Sequence, residues 1–329
     1  MRNERKKTHT KDNDYKDNTP YDDVGKTMLI DCPSTIFPLV NEIFGEHYTG
    51  TEVIEFLHES NYVNLTEKEM IRGYRDAYFK IIGEKTKNYH IELQSTEDHT
   101  MVLRMFEYDI GASIKESVID GNKLIVTIAQ SAVVYLRHNK NTPDTLEVEI
   151  HTPGGNVVYA IPIIKIKKYT LDEIFEKNLL FFLPFYIFGY EEELGILNKN
   201  REKLERLEEE YRRIKNYLNT LYDTGRITER EKSIIISMIK KVIRNLAAKY
   251  ENVKKGVEHI MGGRLLIHEA YVLMEKGRAM ERKNTEEAEQ RAIAAEKRAE
   301  EAERRAIEAE RLYSKLKEML NEKQNLQKI

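Results

Sequence analysis

Residues 74–94, YRDAYFKIIGEKTKNYHIELQ, decide the fold prediction for this chain. Apolar and polar residues alternate on both sides of a central GEKTKN segment, which has the composition of a turn. Alternation with a period of two predicts β-strands, so the stretch is predicted to form a β-hairpin. In that hairpin Asp76 lies on the polar face of the first strand, and Glu92 and Gln94 lie together on the polar face of the second.

Two acids and an amide on paired strands predict a metal site for phosphodiester hydrolysis. Mg²⁺ prefers oxygen ligands and is held by one or two carboxylates together with substrate phosphates. Asp76 and Glu92 are therefore the predicted ligands, with Mn²⁺ as the alternative ion. Gln94 can position a water molecule through its amide, but it cannot act as a general base. The spacing alone equally allows an alternative, in which these side chains lie on the solvated face of an ordinary hairpin.

The sequence around the hairpin predicts the α/β fold class, with helices packed on the faces of a sheet. Helices are predicted at 21–47 and 99–118, and strands at 52–57, within 124–137, at 145–152 and at 157–166. The apolar run at 179–190 is shorter than the roughly 20 residues that span a bilayer, and Pro184 interrupts it. That run is predicted to be a buried helix or a docking segment.

From about residue 191 the sequence becomes helical and rich in charge. Thr228 and Glu231 have the spacing of a capping box, as Thr170 and Glu173 do earlier in the chain, and this spacing predicts the start of a helix at each. Alanines recur with alternating spacings of four and three from Ala288 to Ala309, as in the seam of a coiled coil. The predicted organisation is a disordered tail at 1–20, an α/β domain at 21–190, a helical region at 191–284 and a coiled coil at 285–329. Self-association through the C-terminal helices is expected.

The composition limits which classes of protein the chain can belong to. A net charge of −3 gives no global basic field, so contact with DNA would need a local basic patch. The single cysteine, Cys32, excludes an internal disulfide framework and fits a reducing compartment. Residues 1–20 contain no apolar segment of the kind found in signal peptides. A cytoplasmic protein without membrane contact is expected.

Seven segments occur in the order found in a known family. They are YDDVGKTML (21–29), PLVNEIFG (38–45), RDAYFKIIG (75–83), YHIELQST (89–96), MVLRMFEYD (101–109), LPFYIFGYE (183–191) and IMGGRLLIHEA (260–270). Together they resemble the PD-(D/E)xK nuclease family transposases, which are grouped with the Rpn recombination-promoting nucleases. The resemblance implies a restriction-endonuclease-like α/β/α core and a Mg²⁺-dependent DNA endonuclease linked to recombination or transposition.

The resemblance also implies roles for individual residues. Asp76 stands at the family's strand aspartate, Glu92 at its second acidic position and Gln94 at the position where many nucleases have lysine. An acid precedes a lysine in the family's first helix, and Asp22 matches it best, with Asp23 as the alternative.

Two departures from the family pattern leave a second interpretation open. Gly25 stands where an aromatic residue is usual, and it is expected to loosen the first helix. The residues around Asp76 also differ from the usual sequence. The alternatives are a catalytically inactive member that binds DNA or proteins, and a coiled-coil scaffold.

Other charged residues have competing roles at this level. Lys80 and His90 share the polar faces of the hairpin, and phosphate contact competes with a structural role for each. Arg104 and Tyr108 share one face of the predicted helix, where packing and an ion pair with Glu107 or Asp109 are expected rather than contact with DNA. The basic stretch 240–255 is either a solvated helix face or a contact to the DNA backbone.

Overall fold

The computed structural model describes residues 20–56, 62–63, 70–71, 77–96, 98 and 100–262. The chain divides into two compact units, Met1–Gly263 and Arg264–Ile329, and every described residue belongs to the first. Asp76 and the predicted coiled coil at 285–329 lie outside the described residues. Across the described ranges, no helix combines the length and the apolar character needed to cross a membrane.

Within the described residues, the strands form one six-stranded sheet and two small two-stranded sheets. In chain order the strands are β1 Val53–Phe56, β2 Tyr62–Val63, β3 Met70–Ile71, β4 Ala77–Ile82, β5 Lys87–Gln94, β6 Val118–Asp120, β7 Lys123–Ile125, β8 Gln130–Tyr135, β9 Thr145–Thr152 and β10 Gly155–Lys165. The large sheet has the order β1-β4-β5-β8-β10-β9. β5, β8 and β10 run parallel to one another, and the other neighbouring pairs are antiparallel.

The helices of the same residues are α1 Pro20–Asp31, α2 Ile36–Phe44, α3 Met101–Lys115, α4 Leu171–Glu176, α5 Leu194–Leu197, α6 Arg201–Asp223, α7 Glu229–Leu246 and α8 Glu251–Ile260. Short 3₁₀ segments occupy Pro33–Thr35, Ile166–Lys168 and Leu180–Glu193. The predicted α/β class is confirmed, and so is the antiparallel hairpin of β4 and β5. The predicted capping boxes at Thr170 and Thr228 are both formed.

Helices cover both faces of the sheet, and this buries β5 almost completely. On one face α1 and α2 pack against β5, where the rings of Phe44 and Tyr89 lie 5.2 Å apart. On the other face Met105 of α3 packs with Val133 and Tyr135 of β8. Residues Tyr89–Leu93 of β5 are all buried. The predicted alternative of a solvated hairpin face is therefore wrong for this strand.

Gly25 does not loosen the first helix, contrary to the prediction. α1 runs without a break from Pro20 to Asp31, and Gly25 is buried within it. A Cβ atom at this position would lie 2.7 Å from Cδ2 of Leu93. The small residue therefore allows α1 to approach β5 closely, at the residue between Glu92 and Gln94.

Two predicted strand and helix assignments differ in detail. Of the predicted 124–137 segment, Gln130–Tyr135 forms the buried strand β8, whereas Leu124 and Ile125 belong to β7, which forms an exposed hairpin with β6. The apolar run forms a 3₁₀ helix, Leu180–Glu193, which is buried as far as Phe188 and packs against α7, so the prediction of a buried helix holds with a 3₁₀ form. Pro184 lies inside it, and proline removes a backbone donor that an α-helix would use.

Candidate functional site

Glu92 is a buried acid on the α3 face of β5. Glu92 is 3% exposed, and the residue paired with it on β8 is the apolar Val133. Its Oε1 accepts a hydrogen bond of 2.8 Å from Nη2 of Arg104, which lies on α3. A buried carboxylate is costly unless it is paired, so Arg104 is the counter-ion that this position requires.

Arg104 has a second acidic partner at the surface. Its Nη1 donates to Oδ2 of Asp98 at 3.1 Å. Asp98 is itself fixed at the start of α3, because its Oδ1 accepts from the backbone N–H and the hydroxyl of Thr100, each at 2.8 Å. The guanidinium, on a side chain that is 30% exposed, thus bridges a buried acid and a surface acid.

A buried cluster of three polar residues, His90, Asp109 and Ser131, lies beside Glu92. Nδ1 of His90 and Oδ1 of Asp109 are 2.7 Å apart, and Ser131 donates to the other oxygen of Asp109, also at 2.7 Å. The three residues come from β5, α3 and β8. The β5–β8 register places His90 opposite Ser131, so the strands themselves build this contact.

His90 adds positive charge next to Glu92. Its Nε2 lies 3.7 Å from Oε2 of Glu92, which is too long for a hydrogen bond but close for an ion pair. Burial lowers the pKa of His90, but the contacts with Asp109 and Glu92 outweigh it and raise the pKa to about 9. The imidazole is therefore protonated at neutral pH, and Glu92 lies between two cations.

The structure brings together some of the predicted site residues. Gln94 follows Glu92 on the same face of β5, at the edge where β5 and β8 end. Asp22 belongs to α1, on the opposite face of the sheet, so its part in the site stays a prediction. Asp23 forms an ion pair of 2.6 Å with Lys241 of α7. Asp76 adjoins Ala77 in sequence and lies outside the described residues.

The ion pairs of Arg104 and Lys80 differ from what the sequence predicts. Arg104 was expected to pair with Glu107 or Asp109, but its salt bridges are with Glu92 and Asp98. Lys80 forms an ion pair of 2.8 Å with Glu116.

The pairing of Glu92 could have been found from one signal. Glu92 lies in a strand that is followed by an apolar strand and by a helix carrying an arginine in its first turns. A strand acid covered by such a helix needs a cation from it.

Several basic residues of the helical region pair with nearby acids. Arg244 pairs with Glu258, and Lys255 pairs with Glu251 at 3.3 Å. A cleft of about 760 Å³ lies between α6 and α8 and is lined by Arg201, Arg212 and Lys255, among others. Each of these three cations has an acidic partner. A contact between residues 240–255 and DNA stays a prediction.

The donor chemistry at Glu92 fits a hard cation. Carboxylate oxygens are ligands that Mg²⁺ prefers, and a metal ion at Glu92 would compete with Arg104 for the carboxylate. Across the described ranges, no three His, Cys, Asp or Glu side chains cluster so as to surround a metal ion. Asp76, the second predicted ligand, is not among those residues.

Comparison with known proteins gives no match: no family model, curated protein or solved structure matches the chain.

Proposed function

We propose that this protein is a metal-dependent DNA endonuclease with a restriction-endonuclease-like core, and that it hydrolyses phosphodiester bonds in recombination or transposition. The observation that carries the proposal is the burial of Glu92 between Arg104 and His90 on a central strand. A solvated hairpin would not need to hold an acid in this way. Gln94, two residues further on the same face, is the last residue of β5 and is half-buried.

Asp76 and Glu92 would hold Mg²⁺, or Mn²⁺ in its place. When bound, such an ion supplies an activated water molecule and relieves charge on the scissile phosphate. The chain's own residues have three tasks. His90 and Arg104 pair with the carboxylate of Glu92 and fix its direction. The amide of Gln94 orients water, since it can donate and accept hydrogen bonds but cannot take a proton at neutral pH. Asp22 is the outer acid of the proposal.

The wider setting is proposed on the same basis. The protein acts on DNA in the cytoplasm, as a homo-oligomer joined through its C-terminal helices. Two copies would present two sites, as cutting both strands of a duplex requires.

The test is nicking of supercoiled plasmid DNA by the full-length protein in Mg²⁺, with and without EDTA. Glu92→Gln and Asp76→Asn should each abolish nicking, because each removes a carboxylate ligand. Glu84→Gln is the matched control, since Glu84 lies exposed in the turn between β4 and β5. Nicking that survives EDTA, or that persists in Glu92→Gln, would contradict the proposal.

A catalytically inactive member of the same family is the second candidate, and one observation favours it. The carboxylate of Glu92 is already neutralised by two cations, so it can be stable without any metal. This candidate predicts DNA binding with no nicking in Mg²⁺ or Mn²⁺. Detectable nicking that depends on Glu92 would exclude it.

A further inference from the structure

Arg104 combines two features that a purely structural counter-ion does not need. Its guanidinium contacts a buried acid, Glu92, and at the same time a surface acid, Asp98. The side chain is also partly exposed, at 30%, whereas Glu92 beneath it is 4% exposed. Arg104 therefore lies between Glu92 and the surface.

Asp98 gives Arg104 an anchor that does not depend on Glu92. The backbone N–H and the hydroxyl of Thr100 fix one oxygen of Asp98, and the other oxygen accepts from Arg104. Loss of the contact with Glu92 would leave the guanidinium tethered at the start of α3. Arg104 also forms a hydrogen bond with Tyr108. The Nη2 group that now donates to Glu92 would then be available to another anion, because a guanidinium has five N–H groups.

We propose that Arg104 is an exchangeable counter-ion: it neutralises Glu92 when no metal is bound, and it contacts a DNA phosphate when a divalent cation takes its place. This inference rests on the proposed function, since it concerns the same site. Arginine suits the second role because its planar fork matches phosphate oxygens. His90 cannot exchange in this way, because it is fully buried and held by Asp109.

The exchange predicts opposite effects of one substitution on two ligands. Arg104→Ala removes the competitor at Glu92, so the protein should bind Mn²⁺ about tenfold more tightly, as expected for the loss of a competing, partly buried ion pair. The same variant should bind DNA more weakly, and the slope of log affinity against log salt concentration should fall by about 1, as for one lost phosphate contact. A structural counter-ion predicts that Mn²⁺ binding weakens or does not change.

The experiment measures Mn²⁺ binding to the full-length protein by calorimetry or electron paramagnetic resonance, without DNA. Lys80→Ala is the matched control: it also removes a partly exposed cation from this face of the sheet, but one that pairs with Glu116. It should leave the Mn²⁺ affinity unchanged. The double variant Glu92→Gln/Arg104→Ala should not show the tighter Mn²⁺ binding of Arg104→Ala. Circular dichroism confirms that each variant is folded. If Arg104→Ala does not fold, Arg104→Gln serves in its place, because it also removes the positive charge that competes for Glu92.

The outcomes separate this inference from the function on which it rests. Tighter Mn²⁺ binding by Arg104→Ala, dependent on Glu92, supports the exchange. If the native protein nicks DNA in Mg²⁺ but Arg104→Ala binds Mn²⁺ no more tightly, the exchange is wrong and the endonuclease stands. If neither the native protein nor Arg104→Ala binds Mn²⁺, both proposals fail.

Discussion

The buried imidazolium of His90 predicts how the stability of the fold depends on pH. The pKa of His90 rises from an ordinary 6.5 to about 9: burial lowers it, but the contacts with Asp109 and Glu92 more than compensate. A group whose pKa is higher in the folded protein stabilises the fold. The full contribution is present when the pH is below the pKa of the unfolded state, and it is lost as the pH rises through the pKa of the folded state. His90 therefore stabilises the fold at pH 6 and ceases to do so above about pH 9.

The size of the effect follows from the shift. A change from 6.5 to about 9 corresponds to about 3 kcal/mol, at 1.36 kcal/mol per pKa unit. Other groups also lie near the ring: Tyr78 at 5.8 Å and Tyr108 at 6.1 Å between ring centroids. A comparison with a variant is needed to separate His90 from these phenols. His90→Gln retains a donor for Asp109 and has no proton to lose in this range.

The assay is urea unfolding of the native protein and of His90→Gln at pH 6.5 and pH 9.5, with EDTA present. The free energy of unfolding of the native protein should fall by about 3 kcal/mol more than that of the variant. The pKa itself can be read from the imidazole carbon-bound protons by nuclear magnetic resonance. Equal pH dependence in the two proteins, or a pKa below 7 for His90, would refute the charged pair.

Two further predictions concern the helical region and the single cysteine. Thr228→Ala should lower the free energy of unfolding, measured in urea, by about 1 kcal/mol, because it removes the Thr228 hydroxyl that accepts from the N–H of Glu231 at 3.1 Å. Thr228→Ser should retain most of that stability. An unchanged urea midpoint for Thr228→Ala would contradict the role of this helix cap. Cys32 is fully buried, and its burial raises the pKa of its thiol, so labelling by a thiol reagent should be slow in native buffer and should accelerate with urea as the chain unfolds. Rapid labelling in native buffer would show that Cys32 is accessible.

Local sequence pattern predicted those parts of the fold that depend on local periodicity. The alternation at 77–82 and 87–94 gave the hairpin, and the T-x-x-E spacings gave the two helix starts at Thr170 and Thr228. In each case the residues that decide the structure are close together in the chain. The 3₁₀ form of Leu180–Glu193 could not be predicted in this way, because the segment is nearly all apolar and packs against α7, so its sequence has no helical period to read.

The candidate site was predicted less completely, because its contacts join distant residues. Period-two alternation placed His90 and Glu92 on one face, but it could not show that α3 covers that face. Arg104 lies 12 residues after Glu92, and Asp109 lies 19 residues after His90. Whether two such charges meet depends on how the helix crosses the sheet. The role of Gly25 was missed for the same reason, since Leu93 limits the space around it.

The cost of the buried charges supports a site at Glu92 over an inert hairpin. The residue paired with Glu92 on β8 is the apolar Val133. Val133 packs in a core of methionine, valine, isoleucine and tyrosine side chains. An apolar residue at position 92 would extend this core without any counter-ion, and replacing buried ion pairs by apolar residues is often neutral or stabilising. The chain instead keeps an acid there and supplies Arg104 and His90 to pair with it. Stability does not require that arrangement, whereas binding a cation at Glu92 does require the acid.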